Sequence, residues 1–444
     1  MTTAFKRGRT RPIAGAIALL GASALLLTGC GGGGGGGGAA ETGTQEPDKL
    51  TYLKNAENTN IEPVLEELAG DQCADANEAL PLEVSSIPQA DLDGQIQLLA
   101  SQDALPVMFA AAGTPAEGAK LWKAGKLLDF EKELEELGVL DMIEPAAIST
   151  IENLYGGAFD FLPFQFNIEG IFYNKAMFAE QGIAEPQTWD ELVAAAEKFK
   201  AAGVTPFTAS GEQGWPITRL ISSYLFRSLG PDALQKVADG EAKLTDPEYV
   251  EAAQAVADLG ANGYFGENIA SLDIDSSYNE ILTGNAAMMY MGTWFLQSAN
   301  DPEKNKVGID NIGFMPFPAV EGGEGSIDQY PANVGLPQTF GAATYTPKVG
   351  DWLKCITENY GQVALEQSGS ISGFKAKEPV EGLPTLTQDV QERIAGSETS
   401  VLWFEALFNA KAGQDSSKNA ALLVTGQITP EDFMSLLQTD LDNG

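Results

Sequence analysis

A run of eight consecutive glycines, Gly31 to Gly38, separates a short N-terminal segment from the long remainder of this chain. Glycine has no Cβ atom and populates both signs of φ, so such a run has no preferred conformation. Residues 31–47 are rich in Gly, Ala, Thr, Glu and Pro, and we expect them to form a coil with an r.m.s. span of about 20–25 Å. The remaining chain, from about Lys49 to Gly444, is long enough for two lobes.

The segment before the glycines has the features of an export signal. Residues 1–11 contain four cations and no acid, and the stretch from Ile13 to Leu27 is almost wholly apolar or small. This stretch is shorter than the roughly 20 residues that span a bilayer as a helix. The residues Leu27-Thr28-Gly29-Cys30 resemble a bacterial lipobox. That resemblance implies that residues 1–29 are a signal peptide and that Cys30 is lipidated, whereas the alternative is an ordinary signal peptide with an incidental cysteine.

Residues 30–47 would then be a lipidated cysteine followed by a glycine-rich tether. Two or more acyl chains give stable membrane anchoring, whereas one chain alone is marginal. We therefore expect the chain to lie on the extracellular face of the cell membrane, held there by lipid.

Composition excludes several classes of function. The formal charge is −36, and it becomes about −40 without the leader's four cations, so the chain repels nucleic acid and anionic lipid head groups. Histidine is absent, which excludes His-based catalytic triads and His-ligated zinc. Cys73 and Cys355 are too few for a thiolate metal site, and they either form a disulfide or remain two buried thiols. We predict neither a metal nor a cofactor.

Helix and strand signals alternate beyond residue 48. Three predicted helices begin at threonines: Thr188 with Glu191 three residues later, Thr245 with Glu248 three residues later, and Thr429 with Pro430 at the first helical position. Gly203 and Gly260 are predicted to end the first two of these helices. Strand-like runs lie at 49–54, 82–87, 106–113, 170–174, 205–210, 286–292 and 311–318. This alternation predicts α/β lobes with mainly parallel sheets.

One long stretch resembles a known protein family. Residues 170–203, GIFYNKAMFAEQGIAEPQTWDELVAAAEKFKAAG, are similar to the signature of the family 1 extracellular solute-binding proteins, which serve ABC importers and include sugar-binding members. Four further segments resemble elements of that family: 282–296, with Gly-x-Ala-Ala-Met followed by Gly-x-Trp, and 312–319, 351–374 and 422–442. Together these matches cover most of the chain from Leu50 to Leu441.

The resemblance implies a two-lobed α/β fold of the periplasmic-binding-protein type II, with a hinge between the lobes and the ligand in the cleft. The implied lobes are residues 48–165 with 334–375 for lobe 1, and residues 166–333 with 376–444 for lobe 2. Chain crossings near 162–167 and 331–337 would form the hinge, where a few residues absorb the rotation.

The resemblance also implies aromatic residues at the cleft, because a flat ring suits the apolar C–H face of a sugar. The candidate platforms are Trp294, Trp215 and Trp403, each of which could instead fill the core. The remaining tryptophans lie on helix stripes and are predicted to be core residues: Trp122, Trp189 and Trp352.

Polar residues that would bind sugar hydroxyls are carried over from the family in the same way. They are Asn55, Glu57, Gln165, Asn167, Glu212, Gln213, Asp275 and Asn333. Each of them could instead be a solvated loop side chain.

These features predict a lipid-anchored substrate-binding protein of an ABC transporter, which captures a sugar or oligosaccharide and delivers it to the transmembrane permease subunits. We expect a monomer that binds no nucleic acid and is not an enzyme. The alternatives are a surface glycoside hydrolase that uses two of the 62 acids, and a cell-wall interaction protein. The most concentrated acids, Glu131, Glu133, Glu135 and Glu136, have the spacing of an exposed helix face rather than of a catalytic pair. The sugar's identity, linkage and length are left open.

Overall fold

The computed structural model describes residues 42–56, 58–110, 115–397 and 400–443. The predicted signal peptide, Cys30 and most of the tether lie outside the described residues, as does Glu57. No described helix combines the length and the apolar character that crossing a membrane requires.

The strands within the described residues are β1 (Leu50–Asn55), β2 (Leu82–Ile87), β3 (Met108–Ala110), β4 (Asn167–Asn174), β5 (Thr205–Thr208), β6 (Ala286–Gly292), β7 (Ile312–Met315), β8 (Tyr330–Asn333), β9 (Gln338–Phe340) and β10 (Ser400–Val401).

The helices are α1 (Ile61–Gly70), α2 (Ala74–Ala79), α3 (Gln89–Ser101), α4 (Pro115–Lys123), α5 (Phe130–Leu137), α6 (Pro145–Tyr155), α7 (Lys175–Glu180), α8 (Trp189–Ala201), α9 (Trp215–Leu229), α10 (Ala233–Ala238), α11 (Pro247–Ala261), α12 (Ile274–Leu282), α13 (Leu296–Ala299), α14 (Pro347–Ser368), α15 (Thr385–Ala395), α16 (Ala410–Val424) and α17 (Pro430–Asp442).

The strands form two sheets. The first has the order β2-β1-β3-β9, and the second has the order β10-β8-β4-β6-β5, with β7 also paired to β4. In the first sheet β1 is parallel to β2 and β3, and β9 is antiparallel to β3. In the second sheet β4 is antiparallel to β6, β7 and β8. The α/β class is confirmed, but the prediction of mainly parallel sheets is wrong for the second sheet.

The antiparallel arrangement follows from how the chain enters and leaves the second sheet. The chain enters β4 after the helices α4 to α6 that follow β3, and it returns to the first sheet directly from β8 to β9. At this junction β4 and β8 therefore run in opposite directions. The two passing segments pair with each other, at Leu162 with Gln338 and at Asn167 with Asn333. Two neighbouring chain crossings therefore connect the sheets.

The apolar core is divided by the alternation of side chains along the second sheet. In the fully buried strand β4, Phe172 belongs to the cluster that includes the first sheet, whereas Ile171 and Tyr173 belong to a second cluster. This second cluster packs α8, α9, α11 and α17 against the opposite face of the sheet. The period of two along a strand thus gives the second sheet two buried faces.

Two of the three predicted helix starts are confirmed. Thr188 and Glu191 form a complete capping box at α8, each side chain accepting a hydrogen bond from the other residue's backbone N–H at 3.3 Å. Thr429 accepts a hydrogen bond from the backbone of Asp432 at 3.1 Å and begins α17. Gly203, with φ of +80°, follows the end of α8 as predicted.

The third predicted helix has different ends. α11 begins at Pro247 with Asp246 as its N-cap, so Thr245 does not cap it, because proline lacks an N–H and suits the first helical position. Gly260 lies inside the helix and does not end it. A Cβ atom on Gly260 would lie 1.9 Å from the carbonyl oxygen of Val424, so glycine is needed there for close packing on α16.

The prediction of an exposed acidic face on α5 is wrong for one residue. Glu131, Glu135 and Glu136 are exposed, but Glu133 is buried and forms an ion pair with Lys132. Glu133 lies three residues after the buried Phe130, and the inward-facing stripe of the helix therefore includes it.

Cys73 and Cys355 form a disulfide, with Cα atoms 5.8 Å apart. The bond joins the start of α2 to α14 across 282 residues of sequence. Of the two states that the sequence left open, the structure has the disulfide.

Candidate functional site

The three tryptophans proposed as sugar platforms lie together. The rings of Trp215 and Trp294 are 5.7 Å apart. The Arg219 guanidinium lies 5.0 Å from the centre of the Trp215 ring and 5.4 Å from that of Trp403. All three indoles are half-buried, and we call them, with Arg219, the tryptophan cluster. Of the predicted core tryptophans, Trp352 is fully buried, and two are half-buried against the core clusters: Trp122 and Trp189.

Trp294 is placed by the end of strand β6. A Cβ atom on Gly292 would come within 1.9 Å of the Trp294 ring, so the ring lies directly over the glycine backbone. The indole Nε1 donates a hydrogen bond to the Tyr278 hydroxyl at 3.1 Å. Burial raises the pKa of the Tyr278 hydroxyl well above its ordinary value, so this group remains neutral.

Trp215 is placed by the start of α9. Gly214 precedes it with φ of +72°, and a Cβ atom there would lie 1.8 Å from the carbonyl oxygen of Ser417. Only glycine fits both the left-handed backbone and this close approach. Arg219 follows Trp215 by four residues on the same helix, so the two side chains share one face.

Arg219 forms ion pairs with two carboxylates. Its Nη1 contacts Glu169, and its Nε lies 3.5 Å from an oxygen of Glu405. The side chains of Arg219, Glu169 and Glu405 are 12%, 1% and 13% exposed. Glu169 also accepts hydrogen bonds from Asn333 Nδ2 at 3.2 Å and from the Tyr290 hydroxyl at 3.4 Å. Burial raises the pKa of Glu169, while the Arg219 charge opposes that rise.

The two asparagines at the chain crossings meet each other. Asn167 Nδ2 donates to Asn333 Oδ1 at 3.3 Å, and Thr293 donates to Asn167 Oδ1 at 3.3 Å. Asn333 Oδ1 also accepts a hydrogen bond from the backbone of Gly335 at 3.0 Å. Asn167 and Asn333 are 4% and 7% exposed, so most of their surface is covered by protein. Through Asn333 and Glu169 they are connected to the tryptophan cluster.

The turn after β1 contacts the first crossing. Gln165 accepts a hydrogen bond from Asn58 Nδ2 at 3.3 Å. Asn58 also accepts hydrogen bonds from two backbone N–H groups at the start of α1, which fixes the turn. Asn55 ends β1 and is 4% exposed, and Glu57 lies outside the described residues.

The remaining predicted polar residues lie just before Trp215 and Tyr278 in the sequence. Glu212, Gln213 and Asp275 are exposed. Gln213 accepts hydrogen bonds from the Ser210 hydroxyl and, at 3.1 Å, from the backbone of Ile274. These bonds hold the turn before α9 against the start of α12, the helix that carries both Asp275 and Tyr278.

Sequence reasoning did not identify four members of this site: Arg219, Glu169, Glu405 and Tyr278. Spacing in the sequence could have indicated two of them: Arg219 lies one helical turn after Trp215, and Glu169 lies two strand residues after Asn167, so each shares a face with a predicted site residue. The position of Glu405 depends on an irregular segment between β10 and α16, for which the sequence carries no periodic signal.

The arrangement favours binding of a polar molecule that has an apolar face. It combines half-buried indole rings with amides, hydroxyls and carboxylates, and the carboxylates are already paired. Among the described residues, no group of three or more acids or cysteines is arranged to hold a metal ion.

Comparison with known proteins gives consistent matches. A family model for bacterial extracellular solute-binding proteins matches residues 44–362. An uncharacterised ABC transporter extracellular-binding protein of Pyrococcus horikoshii is 28% identical over 233 residues, which is 49% of this chain and 51% of that protein. A probable sugar-binding periplasmic protein of Rhizobium meliloti is 28% identical over 211 residues, 44% of this chain and 48% of that protein. This chain thus spans about half the length of these curated relatives.

A solved structure of a chitin oligosaccharide binding protein matches more fully. It is 26% identical with a TM-score of 0.75, and the match covers 89% of this chain and 99% of that one. Over this shared length the chain has the fold of that protein.

Proposed function

The chain belongs to the bacterial extracellular solute-binding proteins and has their two-lobed α/β type II fold, and from this premise we propose that it is the lipid-anchored substrate-binding protein of an ABC importer, with a sugar or oligosaccharide as its ligand. It would capture the sugar between its lobes, close, and deliver it to the transmembrane subunits of a permease. Its role is binding without chemical conversion of the ligand.

The tryptophan cluster is the observation that supports a sugar. One indole face that covers roughly 100 Å² contributes on the order of 2.5 kcal/mol at about 25 cal/mol per Å². Each neutral hydrogen bond to a hydroxyl adds about 0.5–1.5 kcal/mol. Trp215 and Trp294 are half-buried, so part of each residue remains exposed.

Closure would occur about the two chain crossings. We propose the lobe boundaries given above, residues 48–165 with 334–375 and residues 166–333 with 376–444. The pairing of Leu162 with Gln338 and of Asn167 with Asn333 supports a hinge in which both crossings move together. Moving an open–closed balance from 1:99 to 99:1 takes about 5.5 kcal/mol of differential binding, which a sugar that contacts both lobes can supply.

A thermal-shift screen of the lipid-free protein against a carbohydrate panel tests the proposed ligand class. We expect at least one sugar to raise the melting temperature, because a ligand that binds only the folded chain stabilises it. A shift with peptides, polyamines or phosphate compounds and with no sugar would contradict the ligand class. Release of reducing ends from a polysaccharide would favour the alternative of a surface glycoside hydrolase.

Substitution of Trp294 by alanine tests the site itself. We expect Trp294→Ala to weaken binding of the sugar found in the screen on the order of 50-fold, since about 2.5 kcal/mol of ring contact is lost. Trp189→Ala is the matched control, because this half-buried indole packs on Phe317 and Tyr224, which are not members of the tryptophan cluster. The control should lower the melting temperature and leave affinity unchanged. Equal affinity losses in the two variants would refute the assignment.

A further inference from the structure

We propose that this site selects sugars by charge, accepting neutral and amino-bearing sugars and rejecting those that carry a carboxylate or a phosphate. The inference rests on the proposed function, because it concerns the same tryptophan cluster. It narrows the ligand class from sugars in general to sugars without a negative group.

The charge of Arg219 is already balanced inside the protein. This guanidinium contacts two indole rings, and it forms ion pairs with Glu169 and Glu405. It is only 12% exposed. To bind Arg219, an anionic ligand would therefore have to displace the carboxylate of Glu169 or Glu405, each of which the protein also holds by other hydrogen bonds.

Both carboxylates are fixed by further donors. Glu405 accepts hydrogen bonds from the Thr218 hydroxyl and, at 3.4 Å, from the Ser416 hydroxyl. Glu169 accepts from Asn333 and Tyr290. Two acidic side chains therefore surround the one guanidinium beside the indoles, and both are held in place by the protein.

The surroundings add charge of the same sign. Glu212 and Asp275 are exposed, and each lies three residues before a member of the site, Trp215 or Tyr278. The whole chain carries a formal charge of −36. A carboxylate or phosphate that approaches the rings is repelled, both at the site and during its approach. An ammonium group, in contrast, is attracted by these acids and by the faces of the indole rings.

The test compares the binding of derivatives of one carbohydrate backbone by calorimetry. The probes are cellobiose, chitobiose with free amino groups, cellobiouronic acid and cellobiose 6-phosphate, together with galactose, galactosamine and galacturonate as a monosaccharide series. In dilute buffer we expect the uronates and the phosphate to bind at least tenfold more weakly than the neutral parent, and the amino sugars to bind at least as well. The difference should shrink at about 0.5 M salt, because added ions screen the repulsion.

A single variant assigns the selectivity to the cluster. In Glu405→Gln the amide oxygen can still accept from Thr218 and Ser416, but the local negative charge is removed. We expect the affinity for the uronate, relative to the neutral parent, to rise at least fivefold. Glu303→Gln, at an exposed position, changes the net charge equally and should leave the ratio unchanged.

The outcomes separate the two proposals. Uronates that bind as tightly as their neutral parents would refute charge selection and leave the sugar-binding function standing. Binding of no sugar by the wild-type protein, in these series and in the carbohydrate panel, would refute both. If Glu405→Gln fails to fold, the wild-type series alone decides.

Discussion

Asp160 is a buried carboxyl group whose two oxygens have no hydrogen-bond partner on another residue. It lies two residues before Leu162, where the first chain crossing begins to pair with the second. Burial raises the pKa of Asp160 from 3.8 to about 8; a hydrogen bond from its own backbone N–H partly opposes this rise, and the negative charge of Asp129 adds to it. The folded protein therefore holds a proton here at neutral pH, which the unfolded chain would release.

This proton makes stability depend on pH in a predictable direction. Between about pH 4 and pH 8 the unfolded chain binds fewer protons at Asp160 than the folded chain does, so this residue lowers stability progressively as pH rises. Asp160→Asn keeps the shape and removes the titration. We expect its melting temperature to exceed that of wild type by an increasing margin from pH 4 to pH 8.

The matched control is Asp141→Asn, because Asp141 is an exposed acid. Its melting curve should follow that of wild type across the same pH range. Parallel curves for wild type and Asp160→Asn would show that Asp160 is ionised in the folded protein, contrary to our account.

At the scale of the element, the end of β6 determines where the Trp294 ring lies. In Gly292→Ala the new methyl group would occupy the position of the ring, so the ring must leave its contacts with Trp215 and Tyr278. We expect sugar affinity to fall about as much as in Trp294→Ala, together with a change in tryptophan fluorescence. Gly70→Ala is the control, because nothing lies within 4 Å of a Cβ atom there, and it should bind sugar normally. Unchanged affinity in Gly292→Ala would show that ring position does not matter.

Local elements could be predicted from the sequence where local chemistry determines them. Thr188 with Glu191 identified α8 because the capping box is complete within four residues. Thr245 does not cap α11, because the helix begins at Pro247. Gly260 does not end it, because glycine is needed there for close packing against the backbone of α16. Strand direction in the second sheet depends on the crossings, which join parts of the chain that are distant in sequence.

The candidate site could be predicted from the sequence only in part, because some of its contacts join distant parts of the chain. The family resemblance identified the indoles, and the structure brings Trp215, Trp294 and Trp403 together around Arg219. The resemblance proposed Asn167 and Asn333 as ligand contacts, and their hydrogen bonds to each other were not visible in the sequence. Pairing across a crossing is a tertiary contact that no local pattern encodes. Whether the carried-over residues bind ligand stays a prediction.

At the scale of the whole molecule, the disulfide links the beginning of the described chain to its late helix α14. A crosslink between Cys73 and Cys355 closes a loop of 282 residues and restricts the unfolded chain, which typically contributes about 2–5 kcal/mol. We expect the double variant Cys73→Ala with Cys355→Ala to melt several degrees lower and to bind sugar as wild type does. A reducing agent should lower the melting temperature of wild type only. Equal melting temperatures for the oxidised and reduced protein would contradict a stabilising role.

Cooperation between the two lobes is the central claim, and small-angle X-ray scattering measures it directly. The lipid-free protein is measured alone and with a saturating concentration of the sugar that gives the largest thermal shift. We predict a smaller radius of gyration and a shorter maximum dimension with the sugar, because a ligand held by both lobes closes the cleft. Superimposable profiles, under conditions where calorimetry shows the site to be full, would contradict this account.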